Sequence, residues 1–223
     1  LKYSSESNLK KVVLECGGKN PAVVFNDAEN LDLVAEHIVN GAFWNMGENC
    51  SAISRLIVHK EIKSDLLKKI LERLRDWRTG DPLDPQNHLG ALIDKEHCKK
   101  VASYLTKGAV VGGQIEGCFV TPTIYETTVD NKKAKEEIFG PILSVLEVQT
   151  NEEAISLANN TEYGLSASIF SANARNALRA ARELRAGTVT VNSYGEGDIT
   201  TPFGGYKQSG FGGRDNGIHA HDQ

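Results

Sequence analysis

Residues 22–43 of the chain read AVVFNDAENLDLVAEHIVNGAF, an apolar run followed by a helical pattern. The run Ala22–Phe25 predicts a buried β-strand. From Leu31 onward, apolar residues recur at the three- and four-residue spacing of one helix face, and Asn30 stands where a helix N-cap is expected. Because strands and helices of this kind alternate along the chain, the sequence predicts an α/β layer architecture.

The same alternation continues on both sides of this stretch. Further strands are predicted at Lys11–Leu14, Arg55–His59, Thr121–Tyr125, Ile142–Val148, Ser166–Phe170 and Thr188–Asn192. Further helices are predicted at Ile62–Trp77, at Asp94–Leu105, from a capping box at Thr150 and Glu153 to about Asn159, and at Ala172–Arg185. The Gly-rich residues after Ser193 predict irregular structure, and we predict one domain over residues 1–223.

Composition excludes several protein classes. Apolar residues make up 40% and charged residues 24% of the 223 residues, which is typical of globular domains rather than disordered or coiled-coil chains. The formal net charge of −4 provides no general attraction for nucleic acid or an anionic membrane, so neither is expected as a partner. No apolar run is long enough to span a bilayer, and the first residues lack the apolar core of a signal peptide.

The cysteines give no metal or disulfide pattern. Cys16, Cys50, Cys98 and Cys118 contain no C-x-x-C pair, so we predict four reduced thiols in a cytoplasmic protein, at most one of them chemically active. The two terminal histidines, at positions 219 and 221, are more often solvated than metal-bound in such a place. We therefore predict no metal site.

Four segments carry the chemistry. They read LECGGKNP at 14–21, NMGENC at 45–50, EEIFGP at 136–141 and PFGGYKQSG at 202–210. Taken together and in this order, they resemble the aldehyde dehydrogenase superfamily over essentially the whole chain. The acidic stretch before the fourth segment resembles the aminoaldehyde branch, which includes γ-glutamyl-γ-aminobutyraldehyde dehydrogenases.

The resemblance implies a fold, a reaction and a set of site residues. The fold is a Rossmann-like layered sheet with flanking helices, and the reaction oxidises a small-molecule aldehyde with NAD or NADP in a homo-oligomer. Cys50 matches the nucleophile and Glu15 the general base. The remaining matched positions are the cofactor residues Glu137, Phe139 and Cys16, the substrate residues Trp44, Asn49, Glu196, Asp198 and Phe203, and the supporting residues Asn45 and Lys207.

The chemistry of these side chains suits such roles. A Cys50 thiolate adds readily to an aldehyde carbon, and its own backbone N–H can stabilise the resulting oxyanion. Glu15 can serve as the base that hydrolyses a thioester. Each residue also has an ordinary explanation: Cys50 as buried filler, Glu15 and Glu137 as hydrogen-bond acceptors in turns, Trp44 and Phe203 as core aromatics.

The acidic loop suggests a substrate class. Carboxylates at Glu196 and Asp198 would attract a substrate with a distant ammonium group, whereas an ordinary acidic turn is the alternative interpretation.

Length is where the chain departs from the family, whose members are about twice as long. The resemblance places their dinucleotide-binding domain before this sequence and their subunit-joining β-segment after it. We therefore expect a catalytic domain only, with weak or no activity when isolated. A non-catalytic remnant that serves as an interaction module is the alternative. Transfer of the acyl group to coenzyme A is disfavoured, because Glu15 supplies a hydrolytic base.

Overall fold

The computed structural model describes residues 1–195, 197–213, 216–218 and 220. Its strands are β1 (Leu14–Glu15), β2 (Asn20–Val24), β3 (Ile53–His59), β4 (Ile115–Glu116), β5 (Phe119–Val120), β6 (Thr123–Glu126), β7 (Ile142–Val148), β8 (Tyr163–Gly164), β9 (Ser166–Phe170), β10 (Thr188–Val191), β11 (Tyr206–Lys207) and β12 (Gly210–Phe211). Its helices are α1 (Lys2–Ser5), α2 (Leu31–Phe43), α3 (Lys60–Leu74), α4 (Lys95–Ala102), α5 (Lys132–Lys135), α6 (Asn151–Asn159) and α7 (Ala174–Glu183).

A six-stranded sheet in the order β10-β9-β2-β3-β7-β6 forms the centre of the molecule. Every neighbouring pair in it is parallel. Strands buried on both faces read as continuous apolar runs, and the five residues of β2 are all buried. The predicted α/β sheet is therefore confirmed.

Helices cover both faces of this sheet. Along β3, Leu56 and Val58 point to one core cluster and Ile57 to the other. Helices α2 and α3 close the first cluster, and α6 and α7 close the second. Each large aliphatic side chain buried in this way stabilises the fold by about 2 kcal/mol.

The predicted helices are confirmed, with ends shifted by a few residues. The side chain of Asn30 accepts a hydrogen bond from the Leu33 N–H and so caps α2. The side chain of Thr150 caps α6 by accepting from Glu153, as the capping box predicts. The strand predicted at Thr121–Tyr125 is β6, which begins at Thr123, and Pro122, which has no N–H to donate to a ladder, separates it from β5.

Both ends of the chain differ from the prediction. The strand expected at Lys11–Leu14 lies at Leu14–Glu15, and the tail expected to be irregular forms β11 and β12. Leu14 pairs antiparallel with Phe211, and Tyr206 pairs with Gly164. These short strands exist because distant segments meet, which local periodicity does not reveal.

The prediction of four reduced thiols is wrong for two cysteines. Cys98 in α4 and Cys118 beside β5 form a disulfide with their Cα atoms 5.4 Å apart. The β4–β5 hairpin folds back onto the start of α4, where Leu92 N–H donates to the Cys118 carbonyl over 2.9 Å. This approach depends on the hairpin and not on the spacing of 20 residues. Cys16 and Cys50 retain their thiols.

Within the described ranges, none of the helices has both the length and the hydropathy needed to cross a membrane.

Candidate active site

Cys50 lies in a turn at the amino end of β3. Before it, the 3₁₀ segment Trp44–Gly47 contains left-handed backbone at Asn45, whose side chain donates to the Glu48 carbonyl over 2.9 Å. Asn49 Oδ1 accepts from the Ser51 N–H at 3.3 Å and lies 3.8 Å from Cys50 Sγ. The Asn49 side chain therefore holds the turn that presents the half-buried thiol.

A glycine turn joins Cys50 to Glu137. The Gly18 N–H donates to Glu137 Oε1 over 2.8 Å. A Cβ atom on Gly17 would collide with the Glu137 carboxylate, and one on Gly18 would lie 2.5 Å from the Cys50 carbonyl oxygen. Only glycine fits a gap this narrow, so these two glycines bring the predicted nucleophile and the predicted cofactor residue together.

Glu15 lies two residues before this turn, at the end of β1, and is exposed. Its partner across the strand pair is Gly210, where a Cβ atom would collide with the Leu14 carbonyl. Next to it, the Cys16 N–H donates to the Ser209 carbonyl over 2.9 Å. The PFGGYKQSG segment at 202–210 therefore holds β1 in place, and β1 carries Glu15, the predicted general base.

Asn20 is a site residue to which the sequence reasoning assigned no role. Its Nδ2 donates to the carbonyls of Cys50 at 2.7 Å and Ala52 at 2.9 Å, while its Oδ1 accepts from the Ser166 N–H at 3.0 Å. The side chain is buried and fixes the backbone of the nucleophile turn to β2 and β9. The feature of the sequence that could have indicated this role is the position of Asn20 within the LECGGKNP segment at 14–21.

Two cations are buried behind the turn. Arg55 donates to the carbonyls of Lys19, Leu157 and Ala158 at 2.9, 3.1 and 2.8 Å. Burial, and after it the charge of Arg55, lowers the pKa of Lys19 to about 7. Burial also lowers the pKa of Arg55 to about 10. Local sequence patterns do not predict either burial.

Glu137 and Phe139 line a small cavity next to the turn that carries Cys50. Both residues, with Asn49, line a cavity of about 20 Å³, and Glu137 also lines an open cleft of about 730 Å³. Phe139 has a left-handed φ of 60°, and its carbonyl lies 2.6 Å from His97 Nε2. A carboxylate at the edge of a wide cleft suits the hydroxyl groups of a ribose, so Glu137 fits a nucleotide cofactor.

The predicted substrate residues are less closely gathered. Trp44 is 60% exposed on the nucleophile loop, whereas Phe203 is buried. Asp198 is exposed and accepts from the N–H and hydroxyl of Thr200 at 2.9 and 2.8 Å, which lowers its pKa. Glu196 lies outside the described residues, as do the histidines at 219 and 221. The substrate roles remain predictions for all five residues, Trp44, Asn49, Glu196, Asp198 and Phe203.

Two further predictions concern Lys207 and metals. Lys207 Nζ donates to the carbonyls of Asn159 and Thr161, both at 3.0 Å, and so supports the backbone that lines the wide cleft. In the part of the chain that the structure describes, no group of three or more His, Cys, Asp or Glu side chains could hold a metal ion.

Comparisons with known proteins identify relatives of this chain. It is 60% identical over 231 aligned residues to aminoacetaldehyde dehydrogenase of Pseudomonas aeruginosa, covering 100% of the chain and 47% of the relative. The chain thus spans about half the length of that relative.

Solved structures give the same result. Indole-3-acetaldehyde dehydrogenase complexed with NAD⁺ matches with a TM-score of 0.93 and 46% identity, over 99% of this chain and 47% of that one. γ-Glutamyl-γ-aminobutyraldehyde dehydrogenase from Burkholderia cenocepacia J2315 matches with a TM-score of 0.94 and 44% identity, over 98% and 46%. A sequence model of the aldehyde dehydrogenase family matches residues 1–223, and the chain belongs to that family.

Proposed function

We propose that residues 1–223 act as the catalytic domain of an NAD(P)-dependent aldehyde dehydrogenase that oxidises an aldehyde to a carboxylic acid. The observation that carries the proposal is the Gly17–Gly18 turn, which touches both the Cys50 carbonyl and the Glu137 carboxylate and begins two residues after Glu15. The predicted nucleophile and the predicted cofactor residue therefore both contact this turn, and the predicted base precedes it on β1.

The mechanism assigns a step to each residue. The Cys50 thiolate attacks the aldehyde carbon, and its backbone N–H stabilises the oxyanion of the thiohemiacetal. NAD(P)⁺, when bound, supplies the acceptor for the hydride that leaves this carbon. Glu137 binds the cofactor ribose, and Phe139 packs beside it. Glu15 then removes a proton from the water that hydrolyses the Cys50 thioester, which releases the acid and regenerates the thiol.

Acylation of Cys50 can be tested without any cofactor. p-Nitrophenyl acetate acylates a reactive thiol and releases coloured p-nitrophenolate, after which the thioester must be hydrolysed. We expect the chain to give a rapid burst of about one equivalent followed by slow turnover. Cys50→Ala should abolish the burst. Glu15→Gln should keep the burst and slow the turnover by about 100-fold, while the exposed Glu29→Gln should change neither.

The burst also separates this proposal from the alternative. A wild-type chain that gives no burst, or a burst that survives Cys50→Ala, would favour a non-catalytic module. Turnover with NAD(P)⁺ itself is expected to be weak in the isolated chain. It is better measured in a chimera in which this chain replaces the matching half of the Pseudomonas aeruginosa relative.

An aminoaldehyde is the substrate class that we propose. Support comes from the name of the 60% identical relative and from the acidic loop, where Asp198 presents an exposed carboxylate. In the chimera, an ω-aminoaldehyde should have a higher kcat/KM than an alkanal of equal length. The change Glu196→Gln/Asp198→Asn should remove that preference, and a preference that persists would refute the assignment.

Location and assembly complete the proposal. We infer a homo-oligomer from the family resemblance, and the cytoplasmic location stays a prediction that the cysteine pattern suggested. The cysteine argument for a reducing compartment no longer supports that location, because Cys98 and Cys118 are paired.

A further inference from the structure

His97, in the first turn of α4, contacts the two loops that form the candidate site. Its Nε2 lies 2.6 Å from the Phe139 carbonyl and 3.4 Å from Glu48 Oε1. Because a carbonyl oxygen only accepts hydrogen bonds, Nε2 carries a proton that it donates to the Phe139 carbonyl, and the Glu48 carboxylate oxygen lies within ion-pair distance of the same nitrogen. The side chains of His97 and Glu48 are 14% and 8% exposed, so this contact lies largely out of water.

Each of the two loops also carries a predicted site residue close to the residue that His97 contacts. Glu48 stands two residues before Cys50, and Phe139 stands two residues after Glu137. A Cβ atom on Gly47 would lie 2.5 Å from the Gly140 carbonyl oxygen, so the two backbones touch directly. The two loops therefore meet at one junction beside His97.

Helix α4 closes over this junction from one side. Asp94 Oδ1 accepts from the His97 N–H at 2.8 Å and begins the helix. One turn later, Val101 packs on the second loop, since a Cβ atom on Gly140 would lie 2.9 Å from its Cγ2. Glu48 Oε1 also accepts from the Ile93 N–H at 3.1 Å, just before the helix.

The backbone at Phe139 requires such a support. A non-glycine residue with φ near 60° is strained and persists only when its surroundings hold it. The ring N–H of His97 binds the carbonyl of this residue, and the two rings meet edge to face at a centroid distance of 6.0 Å.

We propose that His97 is a positioning residue, whose single ring N–H holds the Phe139 turn and Glu48 in register and so sets where Glu137 and Phe139 lie relative to Cys50. The roles of those three residues rest on the proposed function. The coupling of the two loops does not, so it has its own readout.

Hydrogen exchange measured by mass spectrometry tests the coupling. In the folded His97→Leu chain we expect amide exchange to accelerate about fivefold in both segments 46–52 and 137–142. His97→Gln keeps an N–H donor at a similar reach and should restore slow exchange in both. Glu48→Ala should accelerate only segment 46–52. His88→Leu, at an exposed ring stacked on Trp77, should alter neither segment.

A second readout is the rate of Cys50 alkylation by iodoacetamide. It should fall about fivefold in His97→Leu and recover in His97→Gln, whereas a purely structural histidine would change thermal stability without this selective recovery. Unchanged exchange in both segments of His97→Leu, or acceleration confined to α4, would overturn the inference. If the His97→Leu chain does not fold, the Glu48→Ala chain becomes the test of the inference. Unchanged amide exchange in its segment 46–52 would then contradict the inference.

Failure of the proposed function has a different signature. It would appear as a missing ester burst in the wild-type chain, whatever the exchange of the variants shows.

Discussion

Lys19 brings a charge into the interior next to the nucleophile turn. Its side chain is 1% exposed, and within the described residues its Nζ has no hydrogen-bond partner. An unpaired ammonium in the interior costs free energy, and the cost falls when the group loses its proton. Burial and the neighbouring Arg55 therefore lower its pKa to about 7.

This shift makes stability depend on pH. Because the pKa of Lys19 is about 7 in the fold and near its ordinary value of 10.5 in the unfolded chain, the unfolded state holds the extra proton between these two pH values. The free energy of unfolding should rise with pH across that window, by up to about 1 kcal/mol per pH unit. Lys19→Met should lose this rise and be more stable than wild type near pH 7.

Urea unfolding from about pH 7 to about pH 9 measures the effect as the difference between wild type and variant. The exposed Lys68→Met is the matched control and should keep the wild-type slope. Equal slopes for wild type and Lys19→Met would show that Lys19 keeps its proton in the fold.

Asn20 is buried like Lys19, but its side-chain amide has hydrogen-bond partners. Its bonds go to the backbone groups of Cys50, Ala52 and Ser166. Asn20→Ala leaves the carbonyls of Cys50 and Ala52 without their donor, so we expect unfolding to become easier by about 2–3 kcal/mol. Cys50 alkylation should slow as the turn loosens. Urea titration measures the first and mass spectrometry the second. Asn26→Ala, which removes an exposed bond to Glu61, should cost less than about 0.5 kcal/mol.

At the scale of elements, the turn between β1 and β2 controls the site. A Cβ atom on Gly18 would press on the Cys50 carbonyl, which is backbone, whereas one on Gly17 meets the mobile end of Glu137. Gly18→Ala should therefore destabilise the fold by about 2 kcal/mol or more, and Gly17→Ala by less. Gly90→Ala has only an ordinary 3.5 Å contact and should be neutral in urea unfolding. If Gly18→Ala left the free energy of unfolding unchanged, the turn backbone would be able to shift and accommodate the added methyl group.

Local periodicity predicts the elements that are stabilised by their own burial pattern. Helix α2 and strands β2 and β3 follow from apolar spacing, since each buries a continuous face in the sheet. Strand β1 and the two tail strands do not follow, because each depends on a partner far away in the chain. Sequence reasoning on elements therefore succeeds in the sheet and fails at the two ends.

The candidate site shows the same division. Motifs predict the site roles of Cys50, Glu15 and Glu137, because those side chains carry distinctive chemistry within recognisable segments. The residues that position them, such as Asn20 and His97, act through backbone carbonyls supplied by other segments. Such roles depend on which segments meet, so they become visible only when the chain is folded.

At the scale of the whole molecule, one covalent link crosses between segments. The Cys98–Cys118 disulfide ties α4 to the β4–β5 hairpin and closes a loop with a sequence separation of 20 residues. Closing a loop of this size lowers the conformational entropy of the unfolded chain, so the disulfide should stabilise the fold by about 3 kcal/mol. The variant Cys98→Ser/Cys118→Ser should lose this amount in urea unfolding without reductant. Phosphine reductant should destabilise the wild type to the same level and leave the double variant unchanged. A reductant effect of equal size in both proteins would contradict the assignment, because it would then arise somewhere other than this disulfide.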